Sequence, residues 1–219
     1  MSDITMTINE AMARMEDANR VEVRKNCATV CRVALRSVRN LWDKAKYQRW
    51  SKAELTPRQV RMVRLAVRSD PDTRALVGLK KRWVSAHKRT IQSQQMDDYR
   101  AITALIAESL TQGPFAGLWV VTDAELSDVK RVLINGETLD EALGRLYDDF
   151  TTRARRGLVK SLDGTTSIHG ARDAFSREIN AAYKDLENRA AGLAGEATAV
   201  TCRRAASNIA DMSLVVVRA

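Results

Sequence analysis

Between Arg20 and Trp50 neither proline nor glycine interrupts the chain, and apolar residues return every three or four positions: Val23, Cys27, Val30, Ala34, Val38, Leu41 and Ala45. At 3.6 residues per turn, that step places them on one side of a single long helix and leaves Lys25, Arg32, Arg36, Arg39 and Lys46 on the other. The three prolines, Pro57, Pro71 and Pro114, leave few places where a helix must stop, and Ala, Leu, Arg and Glu, all strong helix formers, are abundant. Apolar residues make up 45% of the 219, enough to build a real core in one large or two small domains.

Local signals mark the next boundaries. Thr56 as N-cap, Pro57 at the first helical position and Gln59 three residues after the cap start a second helix, with Val60, Val63 and Val67 as its apolar stripe. A third helix is expected from Pro71 to about Gln92 on Leu76, Leu79, Trp83 and His87, and a fourth through Met96, Tyr99, Ile102, Leu105 and Ile106 to Gln112-Gly113-Pro114. Two further capping boxes, Thr122 with Glu125 and Thr138 with Glu141, each open a helix, the first expected to end at Asn135-Gly136. After the turn Asp163-Gly164-Thr165-Thr166 comes a helix on Ala171, Phe175, Ile179, Tyr183 and Leu186, then an Ala/Gly-rich helix over 190–210. Phe115 to Val121 reads as a short strand or packed loop, and Leu214-Val215-Val216-Val217 as an apolar β-branched tail suited to pairing with a partner's sheet edge. The expected fold is mainly α: an elongated multi-helix bundle with a strand-like segment near 115–121 and a β-like C-terminal tail. It divides into a basic helical region over 1–112 and a second helical region over 113–219.

Charge is distributed unevenly. Arg14 to Arg89 hold 21 Lys/Arg against 7 Asp/Glu, a net +14, whereas Thr90 to Ala219 hold 15 against 18, a net −3. A concentrated positive field steers a protein toward polyanions, and rows of Arg on helix faces suit phosphate contacts that give affinity without reading sequence. The candidate nucleic-acid-binding residues are therefore Arg58, Arg61, Arg64, Arg68, Lys80, Lys81, Arg82, Lys88 and Arg89. Leu55 to Arg89 invites comparison with a helix-turn-helix, but its break contains Pro71, and the following helix opens on Asp72 and Thr73 instead of base-reading side chains.

Chemical signatures are sparse. There is no GxGxxG and no phosphate-binding loop, and no Ser or Cys motif frames His87 or His169, the only two histidines. Three cysteines argue against a disulfide scaffold and fit a reducing compartment; Cys27 and Cys31 share a helix face, but no second Cys/His pair completes a zinc site. Asp97-Asp98 and Asp148-Asp149 are adjacent pairs that point about 100° apart on a helix, so neither makes a metal site by itself. The N-terminus has no basic n-region or apolar h-region and nowhere do eighteen apolar residues run together, so neither secretion nor membrane insertion is expected. No enzymatic activity, cofactor or metal is expected.

The second half resembles the phage head-morphogenesis proteins of the MuF, or minor head protein, family over roughly Leu133 to Ile209. The resemblance rests on Asn135-Gly136-Glu137-Thr138-Leu139-Asp140-Glu141-Ala142-Leu143, then Phe150-Thr151-Thr152-Arg153-Ala154-Arg155-Arg156-Gly157-Leu158. It continues through Leu162-Asp163-Gly164-Thr165-Thr166-Ser167 and Ala194-Gly195-Glu196-Ala197-Thr198 to Arg203-Arg204-Ala205-Ala206-Ser207-Asn208. Where such proteins carry an Arg-Thr-Glu-like triplet, this chain has Gly195-Glu196-Ala197-Thr198. The resemblance implies a non-enzymatic virion component present in a few copies near the portal vertex. Its expected partners are portal or capsid proteins, with packaged DNA against the basic helices and Leu214 to Val217 as partner-binding residues. It would be oligomeric in the assembly, in the host cytoplasm and then the virion. The competing reading is a cytoplasmic nucleic-acid-binding protein, such as a small packaging subunit or a helical nucleoprotein.

Overall fold

The computed structural model describes residues 7–25, 71–110, 121–163 and 168–218. Five helices account for nearly all of them: α1 (7–25), α2 (Pro71–Leu110), α3 (Asp123–Val129), α4 (Leu139–Asp163) and α5 (Ile168–Arg218). Among the described residues the fold is all-α and contains no strand, only one isolated bridge between Ile134 and Glu137. None of the described helices is long and apolar enough to cross a membrane.

Two sequence expectations are corrected by α5. The tail Leu214-Val215-Val216-Val217 is helical, not β-like, and the Ala/Gly-rich segment is continuous with the helix before it. No proline or glycine follows Glu196, so nothing stops propagation. Each added residue gains a backbone bond without a new nucleus, which outweighs the few tenths of a kcal/mol by which each valine disfavours helix. The strand-like segment expected near 115–121 lies outside the described residues except for Val121, which belongs to no strand. The second helix, from Thr56 with Arg58, Arg61, Arg64 and Arg68, also lies outside them, as does the first helix beyond Lys25.

The two helices expected around Gln92 are one, α2. His87 to Gln95 holds no Gly or Pro, and the fall in positive charge beyond Arg89 does not break a backbone ladder. In α3 the capping box forms as expected: the Glu125 amide donates to Thr122 Oγ1 at 3.2 Å, and the Thr122 amide donates to Glu125 Oε2 at 2.8 Å. The Thr138–Glu141 box opens α4 in the same way, at 3.3 and 2.9 Å. α3 ends at Val129, before Asn135-Gly136. That dipeptide instead makes a two-residue turn, φ 52° and 82°, closed by reciprocal Ile134–Glu137 backbone bonds of 2.9 and 3.1 Å. Positive φ at both central residues is the geometry that Asn-Gly favours in tight turns.

The chain packs as two compact units, each drawing on separated stretches. Of the described residues, 7–24, 86–110, 121–142 and 190–218 form the first unit; 25, 71–85, 143–163 and 168–189 form the second. In the first unit a core of Tyr99, Ile102, Leu126, Val129, Cys202 and Ala205 is flanked by Ile8, Ala11, Met12 and Met15 of α1. Ala190, Ala191, Ala194 and Ala197 of α5 are buried there, so the small-residue stretch is a packing face. In the second unit Trp83 of α2, fully buried, meets the Tyr147 ring at 5.4 Å, and Tyr147 meets Phe150 edge-on at 5.8 Å. Aromatic contacts of this kind add about 0.5–1.5 kcal/mol each beyond area burial. Leu143, Leu146 and Ala154 of α4 and Ile179, Ala182 and Leu186 of α5 complete that core at helical spacing.

Candidate functional site

Five of the nine candidate polyanion-binding residues are described, all on α2, and they divide into two kinds. Lys80 donates to Asp148 Oδ2 at 2.6 Å in the second unit, and Lys88 pairs with Asp140 in the first, so both bind α2 to α4. Lys81, Arg82 and Arg89 are exposed and make no ion pair among the described residues. Exposed pairs are worth about 0–1 kcal/mol, so Lys80 and Lys88 are restrained by their carboxylates but not withdrawn from use. Leu214 to Val217 form the last turns of α5.

The adjacent aspartates also separate. Asp148 takes Lys80, whereas Asp149 accepts from Arg189 at 2.9 Å; Asp97 accepts from Arg100 at 3.4 Å, whereas Asp98 turns into the core of the first unit. Among the described residues no three His, Cys, Asp or Glu side chains come together as a metal would require. His87 sits on the apolar stripe of α2, fully buried.

Around Asp98 is a set of polar residues that the sequence reading passed over. Asn19 of α1 uses both amide hydrogens: one goes to Asp98 Oδ2 and the other to Thr198 Oγ1 of α5, each at 2.7 Å. The Thr198 hydroxyl in turn hydrogen-bonds Asp98, closing a triangle across three helices. Burial raises the Asp98 pKa above its ordinary 3.8, the bonds from Thr198 and Asn19 pull it partly back, and the neighbouring Asp97 charge adds to the rise. One turn away, Gln95 donates to Thr201 Oγ1 at 3.2 Å. Burial, reinforced by the charges of Asp98 and Glu16, pushes the Cys202 thiol up to about 12, so it stays protonated and unreactive at neutral pH.

Each member of the triangle occupies a core position by spacing. Asn19 follows Ile8, Met12 and Met15; Asp98 lies between Ile91 and Ile102; Thr198 lies between Ala194 and Cys202. A polar residue on an apolar stripe was the available signal. The triangle satisfies its own donors and acceptors, which makes it a device of specificity in the core, not an exposed reactive centre.

A second polar chain links α5 to α2 and α3 in the first unit. Asn208 donates to the Tyr99 hydroxyl at 3.0 Å, and that hydroxyl donates to Glu125 Oε1 at 3.2 Å, the carboxylate of the α3 capping box. The bonds from Thr122, its backbone amide first, hold the Glu125 pKa below 4.5, while burial raises that of Tyr99. Asn135 of the tight turn donates to Glu196 Oε2 at 2.8 Å.

No family model, curated protein or solved structure matches this chain. Its functional reading therefore stands on its own residues.

Proposed function

We propose that this chain is a non-enzymatic assembly protein of a phage head, of the minor head type, acting through other virion proteins and through phosphates met by its basic helix faces. The observation that carries the reading is the Asn135–Glu196 bond. It joins the Asn-Gly-Glu-Thr start of the resembling segment to its Gly-Glu-Ala-Thr stretch, 61 residues on, within one compact unit. Asn208, the late asparagine of the same pattern, bonds instead to Tyr99, outside that segment. The Asn135–Glu196 bond supports treating the segment as a built element with internal logic.

The test is composition of purified particles. Mass spectrometry of virions should find the chain at low copy number, and affinity purification during infection should recover a portal or capsid protein with it. Particles that lack it, together with a purification that recovers no virion protein, overturn the reading.

Exposed Lys81, Arg82 and Arg89 favour a second reading, a cytoplasmic nucleic-acid-binding protein. Under that reading the purified chain binds duplex DNA with an affinity that falls steeply with salt, and it is absent from particles.

A further inference from the structure

Along one face of α4, Arg153, Arg156 and Lys160 recur at steps of three and four, lining an open groove of about 390 Å³ against Glu178, Ala181 and Ala182 of α5, all within the second unit. Gly157 forms its base. A Cβ there would stand 2.8 Å from Glu178 Cβ, so the glycine is what lets the two helices approach this closely. The outer two cations are engaged: Arg153 with Asp185 at 2.7 Å and Lys160 with Glu178 at 2.9 Å. Arg156, between them and exposed, has no carboxylate partner among the described residues.

We infer that this groove is a seat for one phosphodiester of a nucleic-acid backbone, with Arg156 as its principal ligand. The inference rests on the nucleic-acid contact proposed above. The groove's lining carries three cations and one carboxylate, Glu178, so the groove is net positive and suits the negative charge of a phosphodiester; Asp185, outside the lining, holds Arg153 and is shared with Arg189 at 3.7 Å. A guanidinium presents a planar fork of donors that fits two phosphate oxygens at once. The flanking ion pairs are surface pairs of small net value, so Arg153 and Lys160 can swing toward a bound phosphate at little cost. The mouth is open, as it must be for a phosphate that belongs to a long polymer, and Glu178, the one acidic group of the lining, is paired with Lys160.

The test uses the full chain and a labelled DNA duplex, with anisotropy read over a salt series. Each phosphate contact contributes about −0.9 to the slope of log affinity against log salt, so Arg156→Ala should flatten the slope by about one and weaken binding on the order of tenfold at about 50 mM salt. Glu178→Gln should act in the opposite direction, tightening binding by releasing Lys160. A merely structural role for Glu178 does not produce that gain. Unchanged thermal melts of both variants keep the reading on binding. An unaltered slope in Arg156→Ala, no gain in Glu178→Gln, or a wild-type chain that does not bind duplex DNA overturns the seat. If Lys81→Ala with Arg82→Ala weakens binding while Arg156→Ala does not, the wider basic-face reading survives without the seat. Absence of the chain from virions removes the assembly reading and leaves the seat standing.

Discussion

Replacing Asn19 by alanine tests the polar triangle directly. The side chain is almost wholly buried and makes two bonds of 2.7 Å, one to a carboxylate and one to a hydroxyl. A bond to a charged group is worth about 1.5–3 kcal/mol and a neutral one about 1, so the loss at neutral pH is about 3 kcal/mol. The pH dependence is more diagnostic than the size. Burial already holds the Asp98 pKa above 3.8, so the folded chain binds a proton there more tightly than the unfolded chain does. Its contribution to stability is therefore fully present below about 3.8 and is lost as pH rises through the folded pKa. Asn19 donates to the charged form, so removing it raises that pKa further. The cost of Asn19→Ala then shrinks as pH falls through the variant's pKa, by about 1 kcal/mol or more, because a protonated acid needs one donor fewer. Urea unfolding followed by circular dichroism over a series from pH 8 down to the lowest pH at which the chain stays folded measures the change, with unchanged m as the check on two-state behaviour. In an Asp98→Asn background the pH dependence should vanish. A cost that stays constant across the whole series, or below about 0.5 kcal/mol throughout, refutes the reasoning.

Two glycines of α4 and α5 should respond oppositely to alanine. At Gly157 the new Cβ meets Glu178 Cβ, which cannot move without its helix, so a net loss of about 1–3 kcal/mol is expected in urea melts. At Gly195 it meets only the Arg20 guanidinium, the far end of a flexible side chain, so Gly195→Ala should lie within about 1 kcal/mol of wild type on the stabilising side. Equal effects at the two positions would contradict the packing described. Cys202, with its thiol at about 12, should resist iodoacetamide at pH 7.5 in the native protein and react on unfolding; site-resolved mass spectrometry showing rapid native labelling would contradict its burial.

Much of this fold was legible because its signals are local. The Thr122 and Thr138 capping boxes need only four residues each, and the stripes of α2, α4 and α5 need only the helical period. The misreadings share a physical cause: a local cue was allowed to outrank continuity of the helix. The valine run after Ser213 has strand propensity, and the basic run ends near Arg89, yet neither interrupts the backbone, so α5 and α2 continue through them. Asn135-Gly136 was read as a helix terminator when its stronger preference is the tight turn. The polar triangle was hidden because its members are far apart in sequence; each was an isolated polar residue on an apolar stripe, and only the fold supplies its partners. Of the basic candidates, spacing found the exposed Lys81, Arg82 and Arg89, but could not show that Lys80 and Lys88 face the aspartates of α4.

The triangle also constrains the order in which the molecule can be completed. Asn19 reaches Asp98 across 79 residues and Thr198 across 179, so the first helix emerges from the ribosome long before its buried amide has anywhere to go. Until Thr198 has been made, that amide and the later-arriving aspartate must stay hydrated. The interior of this unit therefore seals only after Thr198 has emerged, and a nascent chain short of it holds its polar groups in water instead of committing them to a premature core.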